Sequence, residues 1–316
     1  MSPAALMLAA WAIEIAFGWP NWLFRLIRHP VVWFGILVRW LVTTFNQDGW
    51  AHTTRYIAGM VASLFAISLA TALAWLIAER LPDTPEGILL EALIASTLIA
   101  SRSLYKHVAD VARPLACGDI NAARQSVSLI VGRDPAQLDE AGIARASIES
   151  LAENTSDGVI APLFWGTLLG LPGLAAYKAI NTLDSMIGHR DARYAAFGGF
   201  AARLDDVANL IPARLTGLAV ACASTRLSVF GIMVRDAGRH RSPNAGWPEA
   251  AMAAALGIRL SGPRIYGKQQ TDDPWLNPEA PDPSGQDIRR ALRLYLKAMT
   301  ICALLLFVIV LLQVTV

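Results

Sequence analysis

The chain has 316 residues, a formal net charge of +2, 54% hydrophobic residues and only 16% charged residues. Soluble globular proteins carry about 25% charged residues, so this composition argues against an ordinary soluble domain and predicts an integral membrane protein. The small net charge, without a basic run interleaved with aromatic residues, indicates that nucleic acid is not a partner. Cys117, Cys222 and Cys302 lie far apart and predict neither a disulfide framework nor a zinc site.

Residues 1–104 are predicted to form membrane helices. The uncharged run at 56–78 is long enough to span a bilayer, which requires about 20 apolar residues. Weaker candidates are 3–20 and 88–104, which are interrupted by Glu14 and Glu91. Residues 31–45 are apolar and aromatic but contain Arg39, so spanning, tilted and interfacial placements all stay open. Residues 105–157 follow with helical spacing and carry Lys106, Arg113, Arg124, Arg133 and Arg145, which predicts a cytoplasmic helical segment because basic residues favour that side.

Residues 158–234 form a second apolar region that is interrupted by helix-breaking residues. The breakers in its first part are Pro162, Gly166, Gly170, Pro172 and Gly173. Irregular backbone at membrane depth must be satisfied by protein or by a watery cavity, so we predict two short helices joined near 171–173 in a re-entrant or hairpin arrangement. A cytoplasmic loop segment at 235–297 and a membrane helix at 298–316 complete a single integral membrane domain, 1–316.

The predicted fold is therefore all-α. It is a polytopic membrane protein with four to seven spanning or re-entrant helices and cytoplasmic helical segments. The basic residues place both long polar segments on the cytoplasmic side of the membrane, because such residues favour that side.

A first polar cluster immediately precedes the broken region. Glu149, Glu153 and Asp157 have the spacing i, i+4, i+8, so they would line one face of a continuous helix beside Asn154. Like charges at this spacing repel one another, which favours a nearby cation such as Mg²⁺ with phosphate. The alternative is a solvated acidic helix face in which Arg145 pairs with Glu149.

Two further polar clusters follow the break. One has helical spacing and comprises Lys178, Asn181 and Asp184, and the other comprises Arg203, Asp205, Asp206 and Asn209, followed by Arg214. Carboxylate and amide oxygens suit a hydrated divalent cation, which predicts Asp184, Asp205, Asp206 and Asn209 as metal ligands. Arginine suits phosphate or carboxylate. The alternatives are a snorkelling Lys178 and acids that favour the first turn of a helix.

The loop SPNAGWPEA at 242–250 is a second candidate wall of the site. Trp247 could stack on a flat ligand, and Asn244 and Glu249 offer polar contacts. An ordered turn followed by a capped helix is the equally weighted alternative. The motifs GxxxxGK[ST], GxGxxG and HExxH are absent from the sequence, so any nucleotide must be held by an unorthodox site.

Four blocks resemble signature blocks of the CobD/CbiB family of cobalamin biosynthesis: ESLAENTSDGVIAPLFW, YKAINTLDSMIGHRDARYAAFG, ARLDDVANLIPARL and SPNAGWPEAAMAAALGIRL. The resemblance covers essentially the whole chain. It implies a multi-pass adenosylcobinamide-phosphate synthase of the inner membrane, with an active site facing the cytoplasm. Such proteins join aminopropanol, or its O-phosphate, to the f propionate of adenosylcobyric acid, with ATP and Mg²⁺. Membrane lipid surrounds them, and association with other enzymes of the pathway is expected.

The resemblance gives the polar clusters expected roles. Glu149, Glu153, Asp157 and Lys178 are expected to be catalytic, with Glu153 or Asp157 as the general base. The expected substrate-binding residues are Asn154, Asn181, Arg203, Arg214, Asn244 and Trp247. One departure is that the family usually carries a Gly-Asp-Pro triplet near the N-terminus, where this chain has Gly18-Trp19-Pro20 and Glu14 is the nearest acid.

Three other functions are weighed against the ligase. Broken helices with charges in the membrane also occur in transporters, but the long polar segments argue against one. A CDP-alcohol phosphotransferase begins its motif with Asp-Gly followed by Ala-Arg, whereas Val-Ile-Ala-Pro follows Asp157-Gly158 here. A scaffold that anchors other enzymes would not need Asp205 and Asp206 for activity.

Overall fold

A computed structural model of the chain describes residues 1–131, 135–189, 191–266 and 269–315. The helices in chain order are α1 (Pro3–Phe17), α2 (Asn21–Ile27), α3 (Pro30–Phe45), α4 (His52–Arg80), α5 (Pro85–Ser96), α6 (Ser101–Ala116), α7 (Ile120–Val127), α8 (Glu140–Thr155), a π-helical turn (Ser156–Ile160), α9 (Ala161–Ile187), α10 (Gly199–Ala208), α11 (Leu210–Ser224), α12 (Ser228–Ala237), α13 (Gly246–Leu256) and α14 (Gly285–Thr315). Four short strands precede α14: β1 (Leu260–Ser261), β2 (Arg264–Tyr266), β3 (Gln269–Thr271) and β4 (Trp275–Leu276).

Within the described ranges, five helical segments are long and apolar enough to cross a membrane, and a bent pair of shorter helices makes up to six. The five are Trp22–Phe45, His52–Arg80, Pro85–Ala116, Glu140–Ile187 and Gly285–Gln313, and the bent pair is Gly199–Ala208 with Leu210–Ser224. The predicted all-α, multi-pass fold is confirmed. The predicted run at 56–78 lies within α4. Helix α14 begins at Gly285, well before the predicted start at residue 298, and its first turns are polar, so an apolar run alone does not reveal them.

Contacts group the chain into two compact units, a division that the sequence did not indicate. Unit 1 comprises Met1–Ala100, Ala161–Asn209 and Leu306–Val316, and unit 2 comprises Ser101–Ile160 and Leu210–Leu305. Each unit is therefore built from segments that are distant in sequence. The polar clusters on the two sides of the broken region are divided between them.

Unit 1 packs α4 and α1 against α9. The buried face of α4 carries small residues, Gly59, Ala62, Ser63 and Ala66. A Cβ atom at Gly59 would lie 1.8 Å from the carbonyl oxygen of Phe197, so only glycine permits this approach. Small residues at helix contacts are typical of membrane proteins, because they let backbones pack closely.

The break predicted within the second apolar region is confirmed, and it lies in α9. Gly170 has φ 66° and ψ −158°, a conformation that is essentially restricted to glycine. The break precedes the predicted turn at 171–173 because Pro172 fits the first turn of the helical segment that follows. That segment carries Tyr177, Asn181 and Asp184 on successive turns.

Unit 2 is built around α8 and α13, both of which are largely buried. The predicted loop segment at 235–297 contains the end of α12, all of α13 and the start of α14 in addition to its loops and strands. The run AAMAAAL in α13 has high helix propensity, but the surrounding Pro and Gly residues obscure this in the sequence. Strand β1 pairs antiparallel with β4, with Leu260 opposite Leu276.

Candidate functional site

The strongest candidate in unit 1 is the aspartate cluster, defined as Asn181, Asp184, Asp205, Asp206 and Asn209. Helix α9 supplies the first two residues, and α10, which packs against it, supplies the others at its C-terminal end. Asp205 is only 8% exposed, and its Oδ2 accepts a hydrogen bond of 3.0 Å from Nδ2 of Asn209. The predicted shared face of Asp205 and Asn209 is thus confirmed.

Asn209 is itself held by a residue that the sequence analysis missed. The hydroxyl of Tyr177 donates a hydrogen bond of 2.9 Å to Oδ1 of Asn209, and both side chains are buried. The Asn209 amide is therefore fixed in one orientation, with its nitrogen directed at Asp205. The only signal in the sequence was that Tyr177 precedes Asn181 by one helical turn.

The second carboxyl oxygen of Asp205 is the unusual feature of this cluster. Oδ1 is buried and makes no hydrogen bond to the described residues, although Asn181 lies beside the carboxyl group. Asp184 and Asp206 are close enough to repel it electrostatically. A buried carboxylate with an unused oxygen and two acidic neighbours is costly unless a cation balances it.

The aspartate cluster fits a magnesium ion whose remaining ligands are phosphate oxygens and water. Among the residues that the structure describes, no group of three or more His, Cys, Asp and Glu side chains is arranged to hold a metal by itself. Magnesium bound with a nucleotide usually takes one or two carboxylates together with phosphate oxygens and water. The free Oδ1 of Asp205 matches that requirement, and the metal-ligand assignment remains a prediction.

The remaining candidates in unit 1 lie in different surroundings. Arg203 is exposed on α10. Lys178 is half-buried, lies near His29 and lines an apolar cavity. Its predicted catalytic role stays a prediction.

In unit 2, the acidic helix segment, defined as Glu149, Glu153, Asn154 and Asp157, does not form the uniform face that a continuous α-helix would give. Glu149 is 6% exposed and its Oε1 accepts a 2.7 Å hydrogen bond from the backbone N–H of Ser261. Glu153 and Asn154 are exposed instead. Asp157 falls in the π-helical turn, whose wider spacing changes the direction of the side chains that follow Thr155.

The hydrogen bond of Glu149 ties β1 to α8, and its predicted catalytic role stays a prediction. The alternative pairing of Arg145 with Glu149 is wrong. Arg145 instead forms an ion pair with Asp282 and lies 4.6 Å from the centroid of the Trp275 ring. Asn154 donates a 2.9 Å hydrogen bond to the backbone carbonyl of Ser150. Of the acids in this segment, Glu153 is left as the most accessible carboxylate.

The loop at 240–249 forms a second polar group within unit 2. Asn244 and Glu249 are 6% and 2% exposed, and Oε1 of Glu249 lies 3.7 Å from Nε2 of His240, a contact that the sequence did not reveal. The guanidinium of Arg214 lies 4.8 Å from the centroid of the Trp247 ring. The structure thus brings together two of the predicted substrate-binding residues, and their cation–π contact holds an arginine beside a flat aromatic surface.

Comparison with known proteins identifies the family. The family model described as CobD/Cbib protein matches residues 7–295. The chain is 53% identical over 300 residues to the cobalamin biosynthesis protein CobD of Rhodobacter capsulatus, a match that covers 95% of each chain. It is 46% identical over 293 residues to the protein of that name from Brucella anthropi, covering 90% of each. It is 43% identical over 317 residues to that from a Sinorhizobium species, covering 96% of this chain and 97% of the relative.

No solved structure matches the chain. The family match spans both compact units and every polar cluster described above. The resemblance noted from the sequence blocks is thereby confirmed along nearly the full length. The chain belongs to the CobD/CbiB family, whose members are named for the biosynthesis of cobalamin.

Proposed function

We propose that the chain is a membrane-embedded, ATP-dependent amide ligase that joins aminopropanol or its O-phosphate to the f propionate of adenosylcobyric acid. The observation that carries the proposal is the aspartate cluster, in which a buried carboxyl oxygen of Asp205 has no hydrogen-bond partner among the described residues. The kinship with the cobalamin biosynthesis proteins supplies the substrate class. The cytoplasmic face of the inner membrane is the proposed location, because both ATP and the basic polar segments belong there.

The chemistry requires an activated carboxylate, since a carboxylate does not accept an amine at neutral pH. In the proposed reaction, an oxygen of the propionate attacks the γ-phosphorus of ATP, giving an acyl phosphate and ADP. The amine nitrogen then attacks the acyl carbon, the bond from that carbon to the phosphate oxygen breaks, and inorganic phosphate leaves. The proton lost from nitrogen passes to a general base.

The aspartate cluster is proposed to hold magnesium and the nucleotide phosphates. Asp205 offers its unused oxygen, and Asp184 and Asp206 add negative charge that favours a cation. Magnesium, when bound, would neutralise the charge that develops on the transferred phosphoryl group. The hydrogen bond between Tyr177 and Asn209 keeps the Asp205 carboxyl in a fixed orientation, which is the preorganisation that such electrostatic stabilisation needs.

Two groups of predicted site residues are proposed to serve the other reactants. Trp247 offers a flat surface to the corrin ring, and Arg214 beside it offers a cation to a propionate. Glu153, as an accessible carboxylate, is the proposed base, with Asp157 as the second candidate. Lys178 lies in an apolar cavity, and we assign it no step.

The test is direct synthesis with purified protein in detergent. Adenosylcobyric acid, ATP and magnesium are mixed with aminopropanol or with its phosphate, and the corrinoid product is measured by mass. The expected result is one amide per ADP released, with a clear preference for one of the two amines. Absence of product with both amines contradicts the proposal, and flux of corrinoid into proteoliposomes without product would favour a transporter.

Glu153→Gln tests the proposed base. We expect slower amide formation at neutral pH, by about a hundredfold for the loss of a general base. Glu79→Gln is the matched control, because Glu79 is an exposed acid at the end of α4. Full activity of Glu153→Gln would remove this residue from the role and leave Asp157 as the candidate.

A further inference from the structure

A cavity of about 540 Å³ lies among the membrane helices of unit 1, away from the roles assigned above. Helices α3, α4, α5 and α9 contribute most of its wall, and nearly every lining residue is apolar. This volume falls within the range of ligand-binding sites in proteins. Because the surrounding helices span the membrane, the ligand can come from the lipid phase.

One side of the cavity opens at a stripe of apolar side chains on α4. Leu69, Leu73 and Ile77 line the cavity and are still 37%, 53% and 37% exposed. Their spacing of i, i+4, i+8 places them on one face of the helix, over a length of about 12 Å. An extended hydrocarbon chain can lie along this stripe and enter the cavity from the bilayer.

The cavity also contains a small polar end. Lys178 is the single charged side chain among the described residues that line it. Trp19 lines the same cavity, and its buried Nε1–H finds no hydrogen-bond acceptor in the part of the chain that the structure describes. Trp19 packs edge to face against His29, which interacts electrostatically with Lys178, so these three residues belong to one group. A buried donor without an acceptor is costly, and a ligand oxygen would relieve that cost.

We propose that this cavity binds one acyl chain of an anionic membrane phospholipid, with the phosphate group at Lys178 and Trp19. The apolar wall suits the chain, and the lysine and the indole N–H suit a phosphate oxygen. A zwitterionic lipid fits less well, because none of the described residues that line the cavity carries a carboxylate to balance its ammonium group. Basic pockets between membrane helices are known to select lipids by their head groups.

The test measures which lipids stay with the protein. The full chain is reconstituted in equal parts of phosphatidylglycerol and phosphatidylcholine, extracted into mild detergent, and the retained phospholipid is quantified by mass spectrometry. We expect about one phosphatidylglycerol per chain and a preference of about fivefold over phosphatidylcholine, as one ion pair can supply. Equal retention of the two lipids would overturn the proposal.

Three variants separate a specific site from lipid that coats any membrane protein. Ala70→Phe fills the cavity and should lose most of the retained lipid, whereas Ala72→Phe on the same helix faces outward and should retain it. Lys178→Gln should retain lipid but lose the anionic preference. Equal retention by Ala70→Phe and Ala72→Phe would contradict the proposal. If Ala70→Phe fails to fold, the ratio of retained phosphatidylglycerol to phosphatidylcholine, compared between the unaltered protein and Lys178→Gln, still tests the proposal.

Discussion

Asp205→Asn should stabilise the protein while it abolishes the reaction. The substitution keeps the shape of the side chain and the oxygen that accepts from Asn209, and it removes a buried negative charge. The new amide nitrogen can donate to the neighbouring acids, Asp184 or Asp206, which repel the present carboxylate. An unsatisfied buried polar group costs about 1–3 kcal/mol, so relief of this cost should raise the free energy of unfolding by that order.

The gain should be visible as a higher melting temperature. For a chain of this size, 1 kcal/mol corresponds to about 2 °C, so a rise of about 2–6 °C is expected. Thermal unfolding in detergent, followed by tryptophan fluorescence, gives the melting temperature. A second scan with magnesium and ATP should raise the melting temperature of the unaltered protein and leave that of Asp205→Asn unchanged.

Asp48→Asn provides the matched control for this experiment. Asp48 is an exposed acid in the turn between α3 and α4, and its loss should change neither stability nor activity. A lower melting temperature for Asp205→Asn would mean that the carboxylate is structural. Retained ligase activity would mean that the aspartate cluster does not hold the nucleotide, and either result refutes the reasoning.

Three further predictions concern other parts of the chain. Gly170→Ala should lower the free energy of unfolding by about 1–3 kcal/mol, because φ 66° with ψ −158° strains any residue that carries a side chain. Gly231→Ala is the control, because Gly231 lies in a helix with open space around it and its substitution should not lower the melting temperature. Equal melting temperatures for the two variants in thermal unfolding would argue against the strain at Gly170. Trp247→Leu should raise KM for the corrinoid more than it lowers kcat, because it removes the aromatic ring that Arg214 contacts. Initial-rate measurements that show a fall in kcat with an unchanged KM would contradict this prediction. Hydrogen bonds from Arg259, together with the charge of Arg145, hold the pKa of Asp282 below its usual range. The ionised Asp282 therefore stabilises the folded protein fully above the unfolded pKa of about 3.9, and this contribution disappears as the pH falls through the lower folded pKa. Asp282→Asn should therefore lower the stability at neutral pH by about 1 kcal/mol or less, because the carboxyl is 36% exposed, and a difference that persists in acid would refute this origin.

Local patterns in the sequence were sufficient for the membrane fold and for part of the aspartate cluster. The long uncharged run predicted α4, because length and apolar composition alone decide whether a helix can span a bilayer. The succession of Gly and Pro residues located the break in α9 to within a few residues. The spacing of Asp205 and Asn209 placed them on one face, and the hydrogen bond between them follows from that spacing.

Features that depend on distant residues could not be predicted in this way. The hydrogen bond from Ser261 to Glu149 joins residues far apart in sequence, so the local spacing that predicts a catalytic Glu149 cannot reveal it. The π-helical turn after Thr155 depends on packing, and no spacing rule in the sequence marks it. Tyr177 acts through Asn209, which lies on another helix, and its own neighbours in the chain give no sign of that contact.

The most direct test of the ligase mechanism follows an oxygen atom. Adenosylcobyric acid carrying a heavy oxygen isotope in its f carboxylate is converted with ATP, magnesium and the preferred amine, and the released nucleotide and phosphate are analysed by mass. The proposed acyl phosphate predicts that one labelled oxygen appears in inorganic phosphate and that the nucleotide product is unlabelled ADP. Amide product formed together with unlabelled inorganic phosphate, or label found in AMP, would contradict this mechanism.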